Sequence, residues 1–183
     1  MSDWFITIVP AHVTRGETAD LFKKITNWLM EKEIMVETSS DCVLGDGEQM
    51  GYKPGRRCKD IIEDDKDGFL SLDVNGIKIS NEREVFHNGE YGLDEVLCPV
   101  CRANNVDTDW PDAVDAWYAR QADPWRCNQC GNESPITKYK FRPTWAFGEL
   151  GITFWNWPPL KAEFLDELRS FIGKDIQVVY GRL

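Results

Sequence analysis

Both ends of the chain read as strand, helix and strand in turn. Trp4-Phe5-Ile6-Thr7-Ile8-Val9 is rich in β-branched and aromatic residues and stops at Pro10, which predicts a strand. Leu21, Phe22, Ile25, Trp28 and Leu29 then fall at i, i+1, i+4, i+7 and i+8, one apolar stripe at helical period. Thr14 and Glu17 stand at capping-box spacing ahead of it, with Thr18 as a later N-cap. Ile34-Met35-Val36-Glu37-Thr38 gives the second strand. Near the other end, residues 151–157 read as a strand that Pro158 and Pro159 break. Leu160, Phe164, Leu165, Leu168, Phe171 and Ile172 form the next helical stripe, and Gly173 is its expected stop. Residues 175–180 make the closing strand. The pattern predicts an α+β fold in which two strand–helix–strand wings share one mixed β-sheet.

Between the wings the periodicity is weaker. Residues 41–68 carry Gly45, Gly47, Gly51 and Gly55 among charges and read as a flexible connection; a phosphate-cradling loop would need a Lys-Ser/Thr end and a following helix. The basic cluster at 53–59 is offset by Asp60, Glu63, Asp64, Asp65 and Asp67. Residues 63–70 imitate the start of a calcium loop, but Val74 stands where the bidentate carboxylate belongs. Leu70, Leu72 and Val74 alternate instead into Asn75-Gly76, with Ile77 and Ile79 beyond, which predicts a tight β-hairpin. Trp110, Ala113, Val114 and Trp117 keep helical spacing, with Asp109, Asp112 and Asp115 suited to a helix N-terminus. Thr137, Tyr139 and Phe141 alternate with Lys138 and Lys140 as an exposed strand would, and residues 145–147 extend the sheet.

The cysteines change the picture most. Cys98-Pro99-Val100-Cys101 and Cys127-Asn128-Gln129-Cys130 are two CxxC knuckles separated by residues 102–126. A two-residue gap lets both sulfurs of a knuckle reach one ion, and two knuckles complete the tetrahedral thiolate shell that zinc prefers. Cys98, Cys101, Cys127 and Cys130 are therefore the expected metal ligands, within a zinc-ribbon-like subdomain at 96–142 of a single domain spanning 1–183. Iron in a rubredoxin-type site uses the same four sulfurs. A thioredoxin-like motif would stand alone, and two disulfides would need an oxidising compartment. The two remaining cysteines, Cys42 and Cys58, read as reduced thiols.

Charge narrows the partners. The chain carries 21 Lys+Arg against 31 Asp+Glu, a net charge of −10, in an otherwise ordinary composition of 42% hydrophobic and 28% charged residues. A nucleic-acid surface must supply cations, yet between the knuckles Arg102, Arg120 and Arg126 face Asp107, Asp109, Asp112, Asp115 and Asp123. A basic protein partner suits this balance better than DNA or RNA, and solubility alone is an equally good reason for the acidity. No run is long or apolar enough to span a membrane. An acid, Asp3, stands where a signal peptide needs basic residues, which points to the cytoplasm.

Catalysis has little to build on, since His12 and His87 are the only histidines and neither sits in a motif. The expectation is a noncatalytic protein-interaction module stabilised by structural zinc, in its narrowest form an acidic inhibitor or immunity-type protein. The alternatives are a zinc-ribbon nucleic-acid-binding protein and an enzyme whose site no motif marks. The tryptophans at 110, 117, 125, 145, 155 and 157 serve either to pack the metal region onto the sheet or to anchor a partner.

The Trp4–Pro10 strand, the Cys98-Pro99-x-Cys101 knuckle, the second CxxC and the closing strand at 176–180 together resemble an uncharacterised bacterial family of short zinc-ribbon-containing proteins. Its ribbons usually carry glycine where this chain has Arg102. The resemblance implies a bacterial cytoplasmic setting and the same four ligands, and it carries no settled activity.

Overall fold

A computed structural model describes residues 2–44, 50–63 and 67–183. The elements in chain order are β1 (Trp4–Pro10), α1 (Thr18–Glu31), β2 (Met35–Asp41), β3 (Met50–Pro54), β4 (Ile77–Ser80), β5 (Glu84–Phe86) and β6 (Glu95–Leu97). There follow α2 (Trp110–Tyr118), β7 (Pro124–Arg126), β8 (Glu133–Pro135), β9 (Lys140–Arg142), β10 (Ala146–Gly148), β11 (Gly151–Trp155), α3 (Ala162–Ile172) and β12 (Ile176–Arg182). The fold is α+β. No helix among the described residues is long and apolar enough to cross a membrane.

Six strands form the main sheet in the order β12-β1-β11-β4-β3-β2. Every neighbouring pair is antiparallel, so the sheet is not the mixed one that two strand–helix–strand wings suggest. The wings are interleaved. β11 and β12 run parallel but lie on either side of β1, while β1 and β2 run parallel with three strands between them. Each helical crossover spans at least one strand of opposite direction, and no parallel pair meets.

Period-two alternation in the central strands sends one set of side chains to the helices. Ile6, Ile8, Ile77, Ile79, Ile152 and Phe154 bury against Leu21, Ile25 and Leu29 of α1 and Phe164, Leu168 and Ile172 of α3. Trp28 ties the helices together, its ring 5.8 Å from Phe164 and 4.9 Å from Phe171. The Thr14–Glu17 pair forms as half a capping box: the Thr14 N–H donates to Glu17 Oε2 at 2.9 Å and its hydroxyl donates to the same oxygen at 2.8 Å. Neither Thr14 nor Thr18 caps α1, whose N-cap residue is Glu17. Gly173 ends α3 in the left-handed conformation, φ +68°.

Four local expectations are corrected. Residues 41–68 are not simply a loop, because β3 and a 3-10 turn at Cys58–Ile61 lie within them; Gly45 and Gly47 fall outside the described residues. The calcium reading at 63–70 also falls partly outside the described residues. Asn75-Gly76 is no hairpin tip. Asp67–Ser71 is a 3-10 turn, and β4 pairs with β11 and β3 instead. The dipeptide is buried under Cys42, whose carbonyl accepts from the N–H of Asn75 at 3.1 Å and of Gly76 at 2.7 Å. A Cβ on Gly76 would overlap Cys42 Sγ, so glycine there serves close approach rather than hairpin geometry. At 136–138 the exposed strand is replaced by a 3-10 turn, and Tyr139 and Phe141 point inward. Residues 145–147 do not extend the main sheet, since β10 pairs only with β5.

The segment between β5 and β10 has a stem. β5 pairs with β10 and, further out, β6 pairs with β9, both antiparallel, so the chain leaves and returns along two nested ladders. Beyond them lies a second core of Val96, Val114, Trp117, Ile136, Tyr139 and Phe141, joined by Cys98 and Cys127.

Leu168 is fully buried between α3 and the sheet. Leu168→Ala is expected to lower unfolding free energy by about 2–5 kcal/mol, measured by chemical denaturation followed by circular dichroism.

Candidate metal centre

The two knuckles share one backbone design. In the first, the Cys98 N–H donates to the Ala103 carbonyl at 3.0 Å, and Arg102 N–H donates back to the Cys98 carbonyl at 3.1 Å. The second repeats it: Cys127 N–H to Asn132 carbonyl at 3.0 Å, and Gly131 N–H to Cys127 carbonyl at 2.9 Å. Each turn aims an amide at its leading sulfur, Val100 N–H at Cys98 Sγ and Gln129 N–H at Cys127 Sγ, both at 3.4 Å. The residue that closes each turn is left-handed, Arg102 at φ +64° and Gly131 at φ +73°. Arg102 thus occupies the position for which glycine is the unstrained choice, at a local cost of about 1–2 kcal/mol.

β6, held by β9, delivers the first knuckle, and the β7–β8 hairpin frames the second. All four Sγ atoms lie within 4.8 Å of one another. Cys98 Sγ is 3.9 Å from Cys130 Sγ, and Cys101 Sγ is 3.8 Å from Cys127 Sγ. A tetrahedron with metal–sulfur bonds of about 2.3 Å has sulfur–sulfur edges of about 3.8 Å. Cys98, Cys101, Cys127 and Cys130 are therefore positioned to hold a metal ion. Iron and zinc demand similar edges, so the geometry leaves the element open.

The donor set calls for a cation. The side chain of Asn132 donates to Cys130 Sγ at 3.4 Å and, with the Asn132 backbone N–H, holds that thiol down at about 6. At Cys127 burial opposes ionisation, yet the N–H groups of Cys130 and Gln129 draw its pKa below the usual thiol value. Cys101 goes the other way: the Ala103 N–H favours its thiolate, but desolvation and the three neighbouring thiols push it up to about 12. Four sulfurs this close cannot all carry charge until a cation sits among them. Cys98 and Cys127 are buried, whereas Cys101 is exposed, so the centre lies at the surface with one edge open to water.

The other chemistry-bearing residues lie elsewhere. Cys42 and Cys58 are buried, unpaired, and part of other apolar clusters. His12, left-handed at φ +56°, lines a cleft of about 670 Å³ with Arg83, Lys138 and Asp123. His87 accepts the Gly89 N–H on Nδ1 at 3.0 Å and its ring lies 5.4 Å from Trp145. Trp110, Trp117, Trp125 and Trp145 pack within or against the second core, and Trp155 and Trp157 are buried under the sheet region. Packing accounts for them.

Sequence reasoning missed an ion network that joins α2 to the sheet. Buried Glu149 accepts from Arg120 at 2.8 and 2.6 Å and from Arg83 at 2.7 Å. Arg120 and then Arg83 hold the Glu149 carboxyl below its usual range against the opposing effect of burial. Arg83 also lies 3.7 Å over the Trp117 ring and donates to the Trp117 carbonyl at 2.9 Å. The available signal was a lone acid within the apolar run Ala146-Phe147-Gly148-Glu149-Leu150-Gly151-Ile152.

No family model, no curated protein and no solved structure matches the chain. Support for the ribbon family thus reduces to the four-cysteine cluster, which is compatible with a zinc-ribbon-like site.

Two outcomes follow from the geometry. Protons compete with metal for the same sulfurs, so bound metal should be released on acidification, at a pH below the value of about 6 at which the metal-free Cys130 thiolate takes up its proton. A chromophoric chelator reads this directly, and Cys127→Ser should release metal even at neutral pH. Gly131→Ala should destabilise by about 1–2 kcal/mol, since a Cβ there meets only Arg126 Nη2 at an ordinary 3.9 Å but φ stays positive, whereas Arg102→Gly should cost nothing in a parallel thermal melt.

Proposed function

We propose that the bound ion is zinc, that residues 96–142 form a zinc-ribbon-like subdomain of a single domain, and that the chain is a noncatalytic interaction module for a basic protein. The observation that carries this is the closure of the site. Four sulfurs fill a tetrahedral shell, so no position remains for water or substrate, and the ion acts as a clasp.

The exposed acids of the segment between the knuckles support a protein partner of opposite charge. Asp107, Asp109, Asp112, Asp115 and Asp123 are all exposed, and Tyr118 adds an exposed ring at the end of α2. A zinc tetrathiolate contributes a further local charge of about −2. Such a face speeds encounter with a basic polypeptide and repels a phosphate backbone. With the tryptophans near the knuckles committed to packing, charge and Tyr118 rather than indole anchors would define the contact. An inhibitor or immunity-type protein is the narrowest form of this reading. Its setting is a reducing bacterial cytoplasm, consistent with unpaired thiols at Cys42 and Cys58.

Elemental analysis of the purified protein should return one zinc per chain; iron in its place would overturn the metal assignment. A pull-down with the immobilised protein should retain a basic polypeptide at low salt and release it at high salt. Recovery of RNA or DNA, or capture that salt leaves unchanged, would overturn the partner class.

A further inference from the structure

The face of the main sheet turned away from α1 and α3 holds a hollow of about 330 Å³ that neither the metal centre nor the acidic face uses. Its floor is a cross-strand row. Thr7 on β1 lies opposite Thr153 on β11, and Thr153 lies opposite Lys78 on β4, which sets two hydroxyls beside the base of a lysine side chain. The two threonine hydroxyls hydrogen-bond at 2.9 Å.

Aromatic rings form the walls. Phe5 and Trp155 are cross-strand partners with ring centroids 5.2 Å apart. Opposite them, the Phe86 ring lies directly on Gly151, where a Cβ would overlap it. Gly151 is thus the residue that lets an aromatic wall stand on the sheet.

Among the described residues, one donor here is buried without an acceptor and one half-exposed cation is unpaired. Trp155 is only 6% exposed, and its indole N–H is buried without a hydrogen-bond partner. Lys78 is half-buried and forms no ion pair among the described residues. Leaving the buried indole N–H unsatisfied is unfavourable, whereas the Lys78 ammonium reaches water and is free to exchange it for a carboxylate. The acid in the hollow, Glu84, is already engaged by the Ser80 hydroxyl. A guest must therefore bring negative acceptor atoms for Lys78 and an apolar body for the rings, and the Glu84 charge disfavours a second anionic group.

We propose that this hollow is a binding site for a small monocarboxylate with an aromatic-sized apolar body. The carboxylate pairs with Lys78 beside the threonine hydroxyls, while the body lies between Phe86 and the Phe5–Trp155 pair. His87 stands on the rim. The reading is independent of the partner assigned to the acidic face, and its test needs neither that partner nor removal of the metal.

The experiment is a titration of the 15N-labelled chain, purified with its metal, with phenylacetate. The Trp155 indole N–H resonance, assigned by its disappearance in Trp155→Phe, should move saturably. Lys78→Met should weaken binding at least tenfold without changing the thermal midpoint of the free protein. Phenethylamine, which carries the opposite charge on a similar body, should leave the resonance in place. A Trp155 resonance unmoved by millimolar phenylacetate sinks the proposal. So does equal binding by Lys78→Met, or equal binding of phenethylamine.

Discussion

The segment between β5 and β10 depends on four sulfurs being held together. Its regular elements are too small to persist by themselves: α2 has nine residues and each strand of the β7–β8 hairpin has three. Isolated helices of this length are marginal in water, and a lone two-stranded hairpin is little better. Metal binding in small zinc peptides is worth about 10–16 kcal/mol, far more than such elements supply from hydrogen bonding. The buried apolar cluster around Trp117, Tyr139 and Phe141 would then pack on a frame fixed by an ion held among these sulfurs. Without a cation the same sulfurs oppose that frame, because ionising one raises the cost of ionising the next.

The metal-linked segment is joined to the sheet by different physics. Two nested ladders carry the chain out and back, and the Glu149 network crosses the junction sideways. Arg83 precedes β5, Arg120 follows α2, and Glu149 lies between β10 and β11, so one carboxylate gathers three distant parts of the chain. Arg83 is packed over Trp117 as well as charge-paired, which makes the contact directional in a way that apolar burial is not. An ion held by the four sulfurs would fix the outer segment internally; the network fixes its orientation.

Much of this was legible because it depends on local spacing. The apolar stripes of α1 and α3, the stop at Gly173, the stripe of α2 and the convergence of the four cysteines all follow from periodicity or from the reach of a CxxC turn. What the chain concealed depends on residues far apart in sequence. Asn75-Gly76 has hairpin chemistry, but its amides are taken by the Cys42 carbonyl and its glycine is required by the Cys42 side chain. The sheet became antiparallel because β1 enters between β11 and β12, which no local pattern encodes. Strands of three residues carry too little alternation to be read, so the nested ladders around the metal could not be foreseen. Arg102 stood out from sequence as a departure from glycine, and the structure supplies its meaning as a left-handed turn residue matched by Gly131.

The two faces of the sheet are finished differently, and that difference explains why a hollow remains on one of them. Two amphipathic helices cover the first face continuously. Over the second, Val9 and Val179 are capped by Phe86 and Ala146 from the β5–β10 ladder, while Trp155 packs with Cys42 and Val43 at the other end. Between them runs the row of Thr7, Thr153 and Lys78, in which Thr7 is buried and Thr153 and Lys78 stay half-exposed. Those side chains are polar, so the gap costs little when filled by water, whereas an apolar row there would have demanded cover. Phe86 belongs to both arrangements: it walls the hollow and sits on the strand from which the metal-linked segment departs. The base of the stem and the rim of the hollow are therefore one piece of backbone, and rigidity supplied by one is shared by the other.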